Sequence, residues 1–338
     1  MYNNTTIVIN TVNHSKTVEE VIVPGLVYTV IFSILRLVIL SMGVFGNGLL
    51  IISYIVCGKL RTSTNAFILM VAISDLMLAL LLIAEKLITF FGWHHLLDQR
   101  THIPTIFILI TFITYAVSVF GQVAISANRY VKICRPKYYD SLYTNRMIVL
   151  YTVILFSSAI LIQTCITFVG KCRMYFDGFM IRLATRNQDH CLYAFMGELS
   201  SPTIIIFVMY FEIFRTIYKS GRRTKRSSSA KKQLRVTIGL CAAFVTLVVA
   251  FTPWSVVAIL DSFLQTNATF QAIRLACEWT MLTTISNPII YGLMNTNFKR
   301  GYLIVIRKCI PGCGRTFLNF ERNRNHSSAN TNTTSSSV

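Results

Sequence analysis

The sequence predicts an all-α membrane protein, a seven-transmembrane helix bundle with a short amphipathic helix after span seven. Three observations carry this. Hydrophobic residues make up 54% of the chain and charged residues 13%, against roughly 45–50% and ~25% in a soluble domain. Seven apolar windows each approach or exceed the ~20 residues that a helix needs to cross hydrocarbon. Lys+Arg number 32 against Asp+Glu 13, a net charge of +19, and this excess is grouped between the windows.

Taken in order, residues 1–24 are polar and form an expected extracellular tail, with no cleaved signal. The spans fall at 26–56, 65–91, 103–134, 147–170, 192–218, 234–261 and 270–294. Pro202, Pro253 and Pro288 lie inside them and are tolerated, because neighbouring helices can satisfy the freed backbone groups. The bundle is thus expected over 25–294, the amphipathic juxtamembrane helix over 295–313 and a disordered cytoplasmic tail over 314–338. No internal repeat is visible, which argues against a transporter built on inverted halves.

The basic residues then set the orientation. One side holds Lys59, Arg61, Lys132, Arg135, Lys137, Arg146, the run from Arg215 to Arg235, and Lys299 to Arg315. The other side is thinner and mixed in sign. By the positive-inside rule the C-terminus is cytoplasmic and the N-terminus extracellular, in a multi-pass plasma-membrane protein. The charge therefore faces anionic lipid, and no nucleic acid is expected as a partner. Glycosylation sequons at Asn3, Asn4, Asn13 and Asn267 fall on the expected outside; those at Asn325 and Asn332 fall inside and would be inert.

Polar side chains within hydrocarbon are costly, so each marks a buried network or a functional site. Thr111, Tyr115, Ser118, Gln122 and Arg129 recur at steps of three, four and seven residues, which keeps them on one face of span three. Asp75 lies mid-span in span two and needs a cation, a proton or several donors. Ser118 and Asn287 lie at matching depth, and one carboxylate with neutral oxygens suits a hard monovalent cation. A protonated, hydrogen-bonded Asp75 is the alternative.

These residues form a set with Gly46-Asn47, Ala72, Asn128-Arg129-Tyr130, Pro202, Tyr210, Pro253 and Asn287-Pro288-Ile289-Ile290-Tyr291. Six helices carry a motif each, in order. The chain resembles the rhodopsin-like (class A) family of G-protein-coupled receptors over about residues 25–310. The resemblance implies that Arg129 contacts a heterotrimeric G protein, with Gi/o indicated by resemblance. It also implies that Tyr210 and Tyr291 support the open state and that Pro253 is the kink on which helix six moves. Asp75, Ser118 and Asn287 would hold an allosteric sodium ion that favours the inactive state.

The departures are specific. Asn128 stands where the family has Asp or Glu, and Gln233 where helix six offers an acid, so neither usual carboxylate restrains Arg129. Phe251 stands two residues before Pro253 in place of the usual tryptophan, with Trp254 on the other side. The usual cysteine at the top of helix three is absent. Cys172 and Cys191, both in the oxidising outer loop, are instead expected to bridge within it, with two free thiols as the alternative. Cys309 and Cys313 are expected palmitoylation sites.

The ligand pocket implied by the resemblance opens outward and includes Thr111, Tyr115, Glu198, Trp254, Cys277 and Met281, with Tyr193 from the outer loop. Thr111 replaces the aspartate of amine receptors, and span seven has no lysine for a retinal Schiff base. Glu85, Glu198 and Glu278 either receive a cationic ligand or pair internally with Lys86 and Arg274, the latter preferred. The stretches from Asn128 to Tyr143 and from Asn287 to Phe298 are most similar to melatonin receptors. Phe195 replaces a glutamine on their ligand side, so a different small molecule, a lipid or a short peptide is expected.

Phosphorylation of the Ser/Thr-rich tail would suit arrestin, and the terminal Ser336-Ser337-Val338 suits a PDZ domain. A small channel or transporter using Asp75 is the competing function. No nucleophile–base constellation supports an enzyme.

Overall fold

The computed structural model describes residues 26–91, 103–170, 174–176, 181–183, 189–221, 228–264 and 266–309. Helix α1 is Leu26–Val56, α2 Ser63–Phe90 and α3 Ile103–Cys134. A short α4, Tyr139–Leu142, precedes α5, Asn145–Thr164, which runs into a π-helical segment Cys165–Val169. Helix α6 is Asp189–Gly221, α7 Ser228–Leu264, α8 Asn267–Thr280, α9 Leu282–Met294 and α10 Thr296–Cys309. Six of these helices are long and apolar enough to cross a membrane, and α8 with α9 forms the seventh span.

Packing is inverted relative to a soluble protein. Large apolar side chains such as Ile34, Phe45, Phe207, Phe211 and Leu293 face outward, where hydrocarbon takes the place of water. Asn47, Asp75, Glu85, Gln122, Asn128 and Asn287 are buried inside. The main apolar core, with Leu50, Phe67, Ile125, Ile206, Tyr210, Phe244, Tyr291 and Phe298, fills the end of the bundle that carries Arg129. Close approaches require glycine at several points, Gly46 and Gly121 among them. A Cβ on Gly46 would meet Pro288 Cγ at 2.8 Å, and one on Gly121 would meet Val71 Cγ2 at 2.4 Å. Spans one and seven, and spans two and three, are in contact at these points.

The expected single helix over 270–294 is corrected by the structure: it is broken at Met281 between α8 and α9. Bonds of the tighter three-residue type replace the α pattern there, Met281 N to Glu278 O at 3.3 Å and Thr284 N to Met281 O at 3.1 Å. The hydroxyls of Thr283 and Thr284 also bond back three residues, to Thr280 O and Met281 O. Further along, Pro288 has no N–H to give the carbonyl of Thr284. Asn47 Nδ2 supplies the missing donor at 2.8 Å and also donates to Gly43 O at 3.0 Å.

The antiparallel pair of strands Met174–Phe176 and Ile181–Leu183, in register Met174 with Leu183, was not anticipated. Helix α10 takes up the expected amphipathic segment. Its inner face holds Phe298 and Val305, Tyr302 Oη donates to Pro288 O at 3.1 Å, and Arg307 and Lys308 occupy its last turn. Cations there suit the negative end of the helix dipole.

Candidate functional site: a polar axis through the bundle

Asp75 is 3% exposed at mid-bundle. Ser118 Oγ donates to its Oδ1 at 2.7 Å and Asn287 Nδ2 donates to its Oδ2 at 2.7 Å. Gln122 Nε2 reaches Asn287 Oδ1 at 3.3 Å. The structure thus brings together the three side chains expected at the cation site and adds Gln122 to them. Their oxygens are hard, neutral or singly charged donors, a set whose chemistry fits a small hard cation.

At one end of the axis, Arg129 is 8% exposed, and no carboxylate among the described residues pairs with it. Asn128 is turned towards the start of α2: Thr64 Oγ1 donates to Asn128 Oδ1, and Asn128 Nδ2 lies 3.5 Å from Ser63 Oγ. Ser63 Oγ in turn shares a 2.6 Å hydrogen bond with Tyr139 Oη, and Lys132 Nζ sits 4.9 Å from that ring's centroid. Tyr143 packs on Phe67, Tyr139 and Tyr151. Burial, with Tyr151 and Tyr139 alongside, raises its hydroxyl above the ordinary tyrosine value, so it remains neutral. Tyr210 stacks on Phe244 and Tyr291 on Phe298, each at 6.0 Å.

Towards the other end, Tyr115 of α3 packs on Phe251 of α7 at 5.0 Å, and Phe112 packs on Phe195 of α6 at 4.9 Å. Glu198 accepts from Gln163 Nε2 of α5 at 2.6 Å. Tyr115 Oη, Glu198 Oε1 and Gln163 Oε1 are buried and make no hydrogen bond among the described residues. Three other expected pocket residues are placed as follows. The hydroxyl of Thr111 bonds back to Phe107 O at 2.9 Å. Met281 packs on Leu40 and Ala79, among spans one, two and seven. Tyr193 is a helical residue of α6, not a loop residue, and is 55% exposed.

Arg36 is a further buried charge, on α1. Its two NH groups reach Glu85 Oε2 and Glu278 Oε1, each at 3.1 Å. Internal pairing of these acids was expected, with Lys86 and Arg274; Arg36 is a partner the expectation left out. An arginine within an apolar span is itself the signal that could have found it.

With this geometry in place, the family can be decided. A model of the seven-transmembrane receptors of the rhodopsin family matches residues 46–291. The chain belongs to that family. The receptor is 26% identical over 288 residues to melatonin receptor type 1A-A of Danio rerio, covering 79% of this chain and 78% of the relative. It is 25% identical over 337 residues to tachykinin-like peptides receptor 86C of Drosophila melanogaster, covering 91% of this chain and 64% of the relative. Squid rhodopsin shares its fold, with a TM-score of 0.70 at 19% identity over 92% of this chain and 91% of that one.

As a rhodopsin-family G-protein-coupled receptor it crosses the membrane repeatedly and is a receptor, not an enzyme. Its Cys191 is disulfide-bonded, while Cys172, Asn3, Asn4, Asn13, Cys313 and the terminal residues lie outside the described residues. The side chains of Asn267, Cys277, Cys309, Arg274 and Gln233 lie outside them as well.

Proposed function

We propose that this receptor is a plasma-membrane protein with its N-terminus outside and its C-terminus inside. It converts binding of an extracellular small molecule, lipid or short peptide into activation of a heterotrimeric G protein of the Gi/o class. The observation that carries this reading is Arg129, buried at the basic end of the bundle with no carboxylate partner among the described residues. A guanidinium held this way is poised for a partner that docks when the helix ends part.

The residues divide the work along the axis. Asn128, Arg129 and Tyr130 face the G protein, and Tyr210 and Tyr291 support the parted state. Phe251 and Pro253 pass motion along α7, while Asn287 and Pro288 link the seventh span to Asp75. Asp75, Ser118 and Asn287 would hold sodium, which supplies a positive charge that stabilises the closed packing. The ligand enters among Tyr115, Glu198 and Trp254. Cys172 is the proposed partner of Cys191. Sugars on Asn3, Asn4, Asn13 and Asn267, acyl chains on Cys309 and Cys313, arrestin on the phosphorylated tail and a PDZ domain at Val338 complete the proposal.

The test is nucleotide exchange on purified Gi/o in the presence of the reconstituted receptor, run beside an ion-flux assay on the same vesicles. Exchange that Arg129→Ala abolishes is expected, without flux. Flux without exchange would favour a channel using Asp75.

A further inference from the structure

We infer that the polar cluster of Glu198, Gln163 and Tyr115 is the seat of a primary ammonium group, and that the receptor's ligand is a protonated amine on an aromatic or apolar body. The inference deepens the receptor reading by naming the chemical class its pocket takes.

Four helices build the site. Gln163, fully buried on α5, spends its amide N–H on Glu198 Oε2 at 2.6 Å and keeps its own oxygen unengaged. Glu198 keeps Oε1 unengaged, and the buried Tyr115 hydroxyl on α3 has no partner among the described residues. Three buried oxygens are thus left to accept, and a primary ammonium carries three N–H donors. Among the described residues, no lysine or arginine pairs with Glu198. A carboxylate at this depth needs a cation or a proton.

The walls select the rest of the ligand. Phe195 precedes Glu198 by three residues and so shares its face of α6. Phe195 packs on Phe112, and Tyr115 packs on Phe251, so two aromatic pairs join α3 to the helices on either side, one of them on the Glu198 face of α6. Aromatic faces attract an ammonium and bury its hydrocarbon body. Span three provides no counter-ion of its own, because it contains no Asp or Glu. An amine must therefore turn towards α5 and α6. A fatty acid or other anion would be repelled by Glu198.

The test uses the full chain purified in detergent and follows its thermal unfolding against three probes of one body: 2-phenylethylammonium, its neutral N-acetyl amide and 3-phenylpropionate. Longer arylalkylammonium homologues cover chain length. The ammonium series should raise the unfolding midpoint at concentrations about tenfold or more below those the amide needs, the scale of one charge-assisted hydrogen bond. The propionate should have no effect. Glu198→Gln should remove the difference between ammonium and amide, and Tyr115→Phe should reduce it. Equal effects of ammonium and amide, no effect of any probe, or an undiminished preference in Glu198→Gln would overturn the site. If Glu198→Gln does not fold, Tyr115→Phe and the wild-type comparison decide.

Ligand-free nucleotide exchange on the same preparation separates the two readings. Exchange without ammonium preference defeats the site alone. Ammonium preference without exchange defeats the reading of ligand-free Gi/o coupling alone.

Discussion

Arg36 is 3% exposed in an apolar helix, and Glu85 on α2 and Glu278 on α8 are 2% and 22% exposed. The planar guanidinium suits this position, since its forked donors can serve two carboxylates on different helices at once. Removing the cation would take away the guanidinium that bridges the two acids. Arg36→Met is therefore expected to lower the thermal stability of the purified receptor on the scale of about 3–5 kcal/mol. Replacing all three residues with apolar ones of similar volume should recover most of it, as measured by unfolding midpoints of the two variants. The acids were legible in the sequence because carboxylates in hydrocarbon stand out. The pairing was not, because Arg36 lies 49 and 242 residues away from them, and helical spacing reads only neighbours in sequence. The Asp75 cluster was legible for the converse reason: each member is a rare polar residue at the same depth of its own span.

At the scale of the element, the seventh span shows how a proline is tolerated. Pro288 leaves the Thr284 carbonyl without its helical donor, and Asn47 crosses from α1 to supply one. Asn47→Ala should destabilise the receptor by about 1–3 kcal/mol, the cost of a buried unsatisfied carbonyl. In a Pro288→Ala background the helix regains its own N–H, so the same substitution should cost less. A double-mutant cycle of unfolding midpoints reads that coupling. Span ends were legible where apolar windows and helices coincide, as for 26–56 and 103–134. Helix α7 instead begins at Ser228, outside the apolar window, because hydropathy marks the membrane and not the last helical turn. The break at Met281 was invisible, since it lies in a change of backbone bonding to the three-residue type that apolar periodicity does not report.

Over the whole molecule, one polar axis runs from the Glu198 cluster past Asp75 to Arg129, with an apolar exterior around it. A bundle with such an interior can hold two packings that a ligand biases. What distinguishes this receptor is the Arg129 end, where Asn128 is turned to Thr64 and Ser63 and the arginine has no carboxylate partner among the described residues. The resting state therefore has one ion pair fewer to hold it closed, and ligand-free activity is the expected outcome. The most direct test is ligand-free nucleotide exchange on Gi/o by equal amounts of wild type and Asn128→Asp. A new partly buried ion pair shifts such an equilibrium by about 1 kcal/mol, so the variant should show a rate roughly fivefold lower. An equal or higher rate in Asn128→Asp would contradict the account.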